Sequence, residues 1–155
     1  MFMQDLYKWG ARKFVVFDIC PLGCLPGILN MLPVKPHTRC AEQINDVISI
    51  YNMKLGAKLK QLSSMLKGLT FITGNTYNLT QEILQNPGRY GIKETRKSCC
   101  DPCMPNGIPC QDRNSYQFWD SAHPTQAIHK IFASECFSGT ALCTPMNIAE
   151  LVHKK

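Results

Sequence analysis

The sequence predicts an α/β fold with parallel strands, and three observations carry that reading. Lys13-Phe14-Val15-Val16-Phe17 and Leu69-Thr70-Phe71-Ile72-Thr73 are short runs rich in β-branched and aromatic residues. Continuous apolar runs of this kind suit strands covered on both faces, as parallel strands are. Between them, from about Ala41 to Lys67, Ile44, Val47, Ile48, Tyr51, Leu55, Leu59, Leu62 and Leu66 recur every three or four positions, the spacing of one buried helical stripe. Strand, helix, strand is the order that builds a parallel sheet.

The other elements follow in order. Pro21 to Thr38 contains Pro21, Gly23, Pro26, Gly27, Pro33 and Pro36 and reads as a loop. Lys67 falls in the last turn of the long helix, and Gly68 suits the residue just beyond its cap. A shorter helix, about Leu79 to Gln85, is stopped by Asn86-Pro87-Gly88. The cysteine-rich stretch from Ser98 to Arg113 reads as irregular. A last helix starts at Pro124, turns Ala127, Ile128, Ile131 and Phe132 inward, and ends near Ser138-Gly139. Two strands are too few for a stable parallel sheet. The pattern, one domain over residues 1–155, therefore reads as half a fold.

Composition narrows the function classes. The 155 residues are 45% hydrophobic and 18% charged, as in globular proteins. The net charge of +6 is scattered, and its densest groups, Lys54, Lys58, Lys60 and Lys93, Arg96, Lys97, lack an interleaved aromatic platform. A nucleic-acid partner is not expected. No apolar run approaches the roughly 18 residues of a membrane span, so no transmembrane segment is expected. Nine cysteines point to an oxidising compartment and a disulfide framework. Asn78-Leu79-Thr80 is a glycosylation sequon that fits secretion. Met1 to Leu6, however, lacks the basic and apolar regions of a signal peptide. Together these features lead to the expectation that an N-terminal segment has been lost.

The strongest chemical constellation is Trp119-Asp120-Ser121-Ala122-His123-Pro124. At this spacing a carboxylate can reach Nδ1 of the imidazole and leave Nε2 free as a general base. The same spacing also serves as a capping or surface hydrogen bond. A competing site is zinc held by Cys100, Cys103, Cys110 and His123, but no further CxxC or paired His completes that pattern. No metal or other cofactor is expected.

From Leu6 to Gly139 the chain resembles the second half of plant GDSL-type esterase/lipases, of the SGNH hydrolase family. The resemblance rests on Gly10-Ala11-Arg12-Lys13-Phe14-Val15-Val16, Pro21-Leu22-Gly23-Cys24-Leu25-Pro26 and Tyr51-Asn52, followed by Asn86-Pro87 with Tyr90-Gly91. It continues through Cys99-Cys100, Arg113, Tyr116-Gln117-Phe118-Trp119-Asp120, His123-Pro124-Thr125 and Phe137-Ser138-Gly139. It implies a partial flavodoxin-like three-layer α/β/α sandwich with its N-terminal half missing. It also implies a secreted hydrolase of small-molecule or lipid esters, with His123 as general base and acid and Asp120 orienting it.

The family's nucleophilic serine and oxyanion Gly and Asn have no counterpart here. Gly-Asp-Ser is absent, and Asn45-Asp46 lies inside the long helix rather than in a Gly-x-Asn-Asp block. Asn75 stands where the family commonly has Asp. The resemblance also marks Cys99, Cys100 and Cys110 as disulfide cysteines, with Cys103 a further candidate. Cys24 and Cys40 are expected to pair across the Pro-rich loop, and Cys20 is the candidate for the unpaired thiol. The alternative function is a non-catalytic, truncated paralogue that acts as a secreted binding module.

Overall fold

The computed structural model describes residues 2–103 and 107–154. Its helices are α1 (Phe2–Lys8), α2 (Pro26–Met31), α3 (Glu42–Met65), α4 (Thr76–Gln85), α5 (Gln126–Phe137) and α6 (Ile148–His153). The strands are β1 (Lys13–Phe17), β2 (Thr70–Gly74), β3 (Glu94–Ser98), β4 (Tyr116–Phe118) and β5 (Cys143–Thr144). β1 and β2 pair in parallel, Lys13 opposite Thr70 and Phe17 opposite Gly74. β5 joins the other edge of β2 antiparallel, so the sheet is mixed, in the order β1-β2-β5. β3 and β4 form a separate parallel pair.

Strand alternation sorts side chains onto two faces. Val15 and Ile72 face a core that includes Leu79 and Ile83 of α4, Ile128 and Cys136 of α5, and Leu151 of α6. Val16 and Thr73 look the other way, where Leu55 and Leu59 of α3 line the same cleft. Helix, sheet, helix is the three-layer α/β/α arrangement.

The buried stripe of α3 keeps the predicted Ile44, Ile48, Leu55, Leu59, Leu62 and Leu66 and departs from the prediction at Val47 and Tyr51. Val47 and Tyr51 are exposed, at 65% and 51%. The covered positions are Ile44, Asn45, Ile48, Asn52, Leu55, Leu59 and Leu62, with Leu66 at the C-cap, so Asn52 and Asn45 stand seven and fourteen residues before Leu59 in the heptad register. Each asparagine satisfies loop backbone. Asn45 Oδ1 accepts from Gly23 N at 2.9 Å. Asn52 Oδ1 accepts from Ile19 N at 3.0 Å, while its Nδ2 donates to Ile19 O at 2.8 Å. The long helix is therefore also the clamp on the loop after β1.

Other boundaries move for local reasons. α3 ends at Met65, which leaves Lys67 outside it, and Gly68 takes φ +77 one position later than expected. α4 begins at Thr76 because the Asn75 side chain accepts from Asn78 N at 2.9 Å. The sequon Asn78 therefore sits exposed in the first turn, with Thr80 buried beneath it. Pro124 lies ahead of α5, whose N-cap is Thr125. The Pro-rich segment holds α2, opened by Pro26, inside what its composition presents as loop.

Four disulfides close the chain: Cys24–Cys40, Cys99–Cys110, Cys100–Cys103 and Cys136–Cys143. Cys20 keeps the free thiol. With its cysteines bonded in pairs, the set considered for zinc offers no thiolate ligands.

Among the described residues β1 has no partner on its outer edge, and Phe17 at its end is 49% exposed. Open strand edges beside apolar surface recruit other chains. The isolated 155-residue chain is expected to associate as its concentration rises. Sedimentation velocity checks this, and a single monomer boundary at high concentration with a cooperative melt would contradict it.

Candidate acid–base site

His123 sits on the turn between β4 and α5. The turn is built from both sides. Trp119 N donates to His123 O at 2.8 Å, closing it, and Phe118 bridges Pro124. Below it, Thr125 Oγ1 donates to Tyr116 O at 2.7 Å and Thr125 N to Gln117 O at 3.1 Å. The start of α5 is thereby tied back onto β4.

The cysteine-rich segment braces the outer side. Cys99 N donates to Phe118 O at 2.9 Å and Cys100 N to Trp119 O at 2.7 Å. The disulfides at Cys99 and Cys100 therefore hold the two residues that lead into Asp120. The Arg113 guanidinium lies 5.7 Å from the Trp119 ring centroid. On the inner side, Gly27 N of α2 donates to Ser121 O at 2.8 Å. A Cβ on Gly27 would stand 3.0 Å from that same oxygen, so glycine is what admits the approach. Sequence reasoning missed α2 as a support of this loop; the Pro26-Gly27 pair is its only signal.

Within the turn, Asp120 does two jobs at once. Its Oδ1 accepts from Ala122 N at 2.8 Å and from His123 N at 2.7 Å. Its carboxylate also meets His123 Nδ1, at 2.8 Å from Oδ2 and 3.0 Å from Oδ1. Capping and imidazole orientation, alternatives at the level of spacing, are both present. An ionised carboxylate only accepts, so Nδ1 carries the proton of the neutral ring and Nε2 presents its lone pair. Side-chain exposure is 75% for His123 and 28% for Asp120. Among the described residues Nε2 has no hydrogen-bond partner.

Partial burial raises the Asp120 carboxyl, but the His123 and Ala122 amides and the imidazole outweigh it and hold the group below its ordinary value. A depressed carboxylate contributes stability above its unfolded value and loses it as pH falls through the folded one. The loop is therefore expected to persist into acid below the ordinary aspartate range. A ¹³C titration of Asp120 checks this, and a midpoint at or above that of a free aspartate would refute it.

Asn45-Asp46 takes no part in this site: Asn45 is the buried support of Gly23. Asn75 caps α4.

An imidazole held by a carboxylate at Nδ1, with Nε2 open on a β–α turn of an α/β domain, is an arrangement that can take up and return a proton. Residues 2–136 match the GDSL-like Lipase/Acylhydrolase family, and the chain belongs to it. It is similar to GDSL esterase/lipase 7 of Arabidopsis thaliana, 36% identical over 158 residues, covering 96% of this chain and 43% of that protein. GDSL esterase/lipase At5g63170 of the same plant is 42% identical over 130 residues, covering 83% of this chain and 37% of that protein. The chain thus spans less than half the length of these curated relatives. Among the described residues no helix is long and apolar enough to cross a membrane.

Proposed function

We propose that this chain carries the proton-transfer part of a serine ester hydrolase acting on small-molecule or lipid esters. The carboxylate-held His123, on a chain of the lipase/acylhydrolase family, carries the reading. In this scheme Nε2 takes the proton of a serine hydroxyl as that oxygen attacks the ester carbonyl, and then returns it to the leaving alkoxide. Asp120 fixes the tautomer and stabilises the imidazolium. The serine and the oxyanion donors come from residues beyond these 155, since no Gly-Asp-Ser occurs among them. Four disulfides favour an oxidising, extracellular setting for the folded protein.

A second reading, a secreted binding module without catalysis, is favoured by one observation: Nε2 meets no hydroxyl or thiol among the described residues. The upstream reading frame separates the two. An in-frame Gly-Asp-Ser block followed by Gly-x-Asn-Asp supports the hydrolase. A stop codon directly upstream of Met1 removes it and leaves the binding module.

A further inference from the structure

A cavity of about 290 Å³ lies beside the His123 loop. Ala122 and Pro124, which flank His123, stand in its wall with Ile19, Leu25 and Phe132. Most of that wall is apolar, and the amide of Gln117 is set into it. Gln117 is only 1% exposed, and among the described residues neither end of its amide has a hydrogen-bond partner. The two ends are not equivalent. Oε1 is sealed from any surface, whereas Nε2 is the accessible end. Turning the amide over would seal two donor hydrogens in place of one acceptor, and buried orphan N–H groups are rarer in native chains than under-satisfied carbonyls. The fold therefore offers the cavity a donor. Its surroundings are held in place. Asn52 clamps Ile19, Thr125 N donates to the Gln117 carbonyl at 3.1 Å, and Asp18 accepts from Thr76 Oγ1 at 2.6 Å and Tyr77 N at 3.0 Å.

We infer that this cavity binds a short, uncharged group bearing a carbonyl oxygen, with Gln117 Nε2 as the hydrogen-bond donor to that oxygen. A donor is served only by an acceptor, so a group whose polar atoms only donate, such as an ammonium, gains nothing from Gln117. A carboxylate accepts as well, but the Asp18 carboxylate in the same wall disfavours a second negative charge. A neutral carbonyl meets both conditions. The apolar remainder of the wall suits the carbon skeleton beside that carbonyl, and a volume near the lower limit of ligand pockets keeps the skeleton short. Cys20 also lines the cavity. Burial, aided by Asp18, pushes its thiol up, so at neutral pH it is a protonated wall and not a nucleophile. Gln117 is in this scheme a specificity residue. Carbonyl binding rests on the cavity alone, whereas assigning that carbonyl to the acyl part of an ester rests on the ester-hydrolase reading.

The test uses the 155-residue chain with disulfides intact and reads binding, not turnover. ¹H–¹⁵N spectra are recorded against cyclopentanone, methylenecyclopentane, which has the same shape without an acceptor, and cyclopentylammonium. Cyclopentanone is expected to move the Gln117 side-chain amide protons downfield, and methylenecyclopentane to leave them in place. The ketone should also slow alkylation of Cys20 by iodoacetamide. In Gln117→Leu, folded by its amide spectrum, the affinity ratio of ketone to alkene should fall about fivefold, the scale of one net hydrogen bond. The carbonyl stretch of the bound ketone should lie at lower frequency in the native chain than in that variant. The amide-shift and alkylation measurements need no variant, so they stand even if the substitution unfolds the chain. A ketone that leaves the Gln117 amide unmoved, no protection of Cys20, an unchanged affinity ratio in the folded variant, or tighter binding of the ammonium would each overturn the inference. None of these outcomes depends on whether the protein hydrolyses esters.

Discussion

Replacing His123 by alanine is expected to lower kcat for ester hydrolysis by roughly 10⁴–10⁶ once the chain is joined to a segment bearing Gly-Asp-Ser, and to change nothing in the 155 residues alone. The two arms follow from the same geometry. His123 Nε2 is exposed and Nδ1 is held by Asp120 at 2.8 Å, so the ring is set to accept a proton. Without a serine beside it, that proton has no source. The isolated chain should hydrolyse p-nitrophenyl butyrate at the rate of its His123→Ala variant.

Asp120→Asn refines the case. The asparagine oxygen can still accept from the Ala122 and His123 amides, which preserves the turn. Its NH₂ would then face Nδ1 and donate to it, driving the imidazole proton to Nε2. That inverted tautomer cannot act as base, and a loss of about 10⁴ in kcat is expected without loss of fold. A His123-dependent rate in the isolated chain would show that a nucleophile exists within these residues and would end the proposal in its present form.

The elements legible in the sequence are those long enough to show a period. β1, α3 and β2 stand out because five-residue apolar runs and a 24-residue helix leave repeated marks. β4 and β5, at three and two residues, are too short to show any alternation. β3 reads Glu-Thr-Arg-Lys-Ser, and only Thr95 is buried, so it gives no apolar signal. α6 lies past the last helix-ending Gly139 and is set by its own capping box, Asn147 with Glu150.

The site was legible in part for a similar reason. The spacing of Asp120 and His123 is local and appears directly in the sequence. The burial of Gln117 was not legible, because it depends on Ile19 and Leu25 of the loop after β1 and Phe132 of α5 meeting around the same cavity from two separate segments. The asparagines of α3 show the same limit. Hydrophobic counting prefers Val47 and Tyr51, whereas the fold needs amide groups at the positions facing loop backbone.

Loss of the Cys24–Cys40 bridge is expected to be the costliest single change to stability. The two cysteines are 16 residues apart, and closing a loop of that length is worth about 3 kcal/mol by chain entropy. For a domain of this size that corresponds to a fall in Tm of about 6–12 °C. Both residues are buried, and the bridge packs in a cluster with Leu84 and Phe118. Serine at either position would add an unpaired buried hydroxyl, so the double substitution Cys24→Ala/Cys40→Ala is the cleaner variant. The effect should be local as well as global. Gly23, beside Cys24, donates its N–H to Asn45 Oδ1 at 2.9 Å and accepts at its carbonyl from Ala41 N at 2.8 Å. A Cβ on Gly23 would overlap the Ala41 carbonyl oxygen, so the contact tolerates little adjustment. Releasing the bridge frees this junction, and with it the loop from Ile19 to Leu25 that Asn52 and Asn45 clamp. Hydrogen exchange should therefore rise at Gly23, Cys24 and Ala41 before it rises in β2. A melt unchanged by the double substitution, with protection retained at Gly23, would mean that the Asn45 and Asn52 clamps hold the loop by themselves.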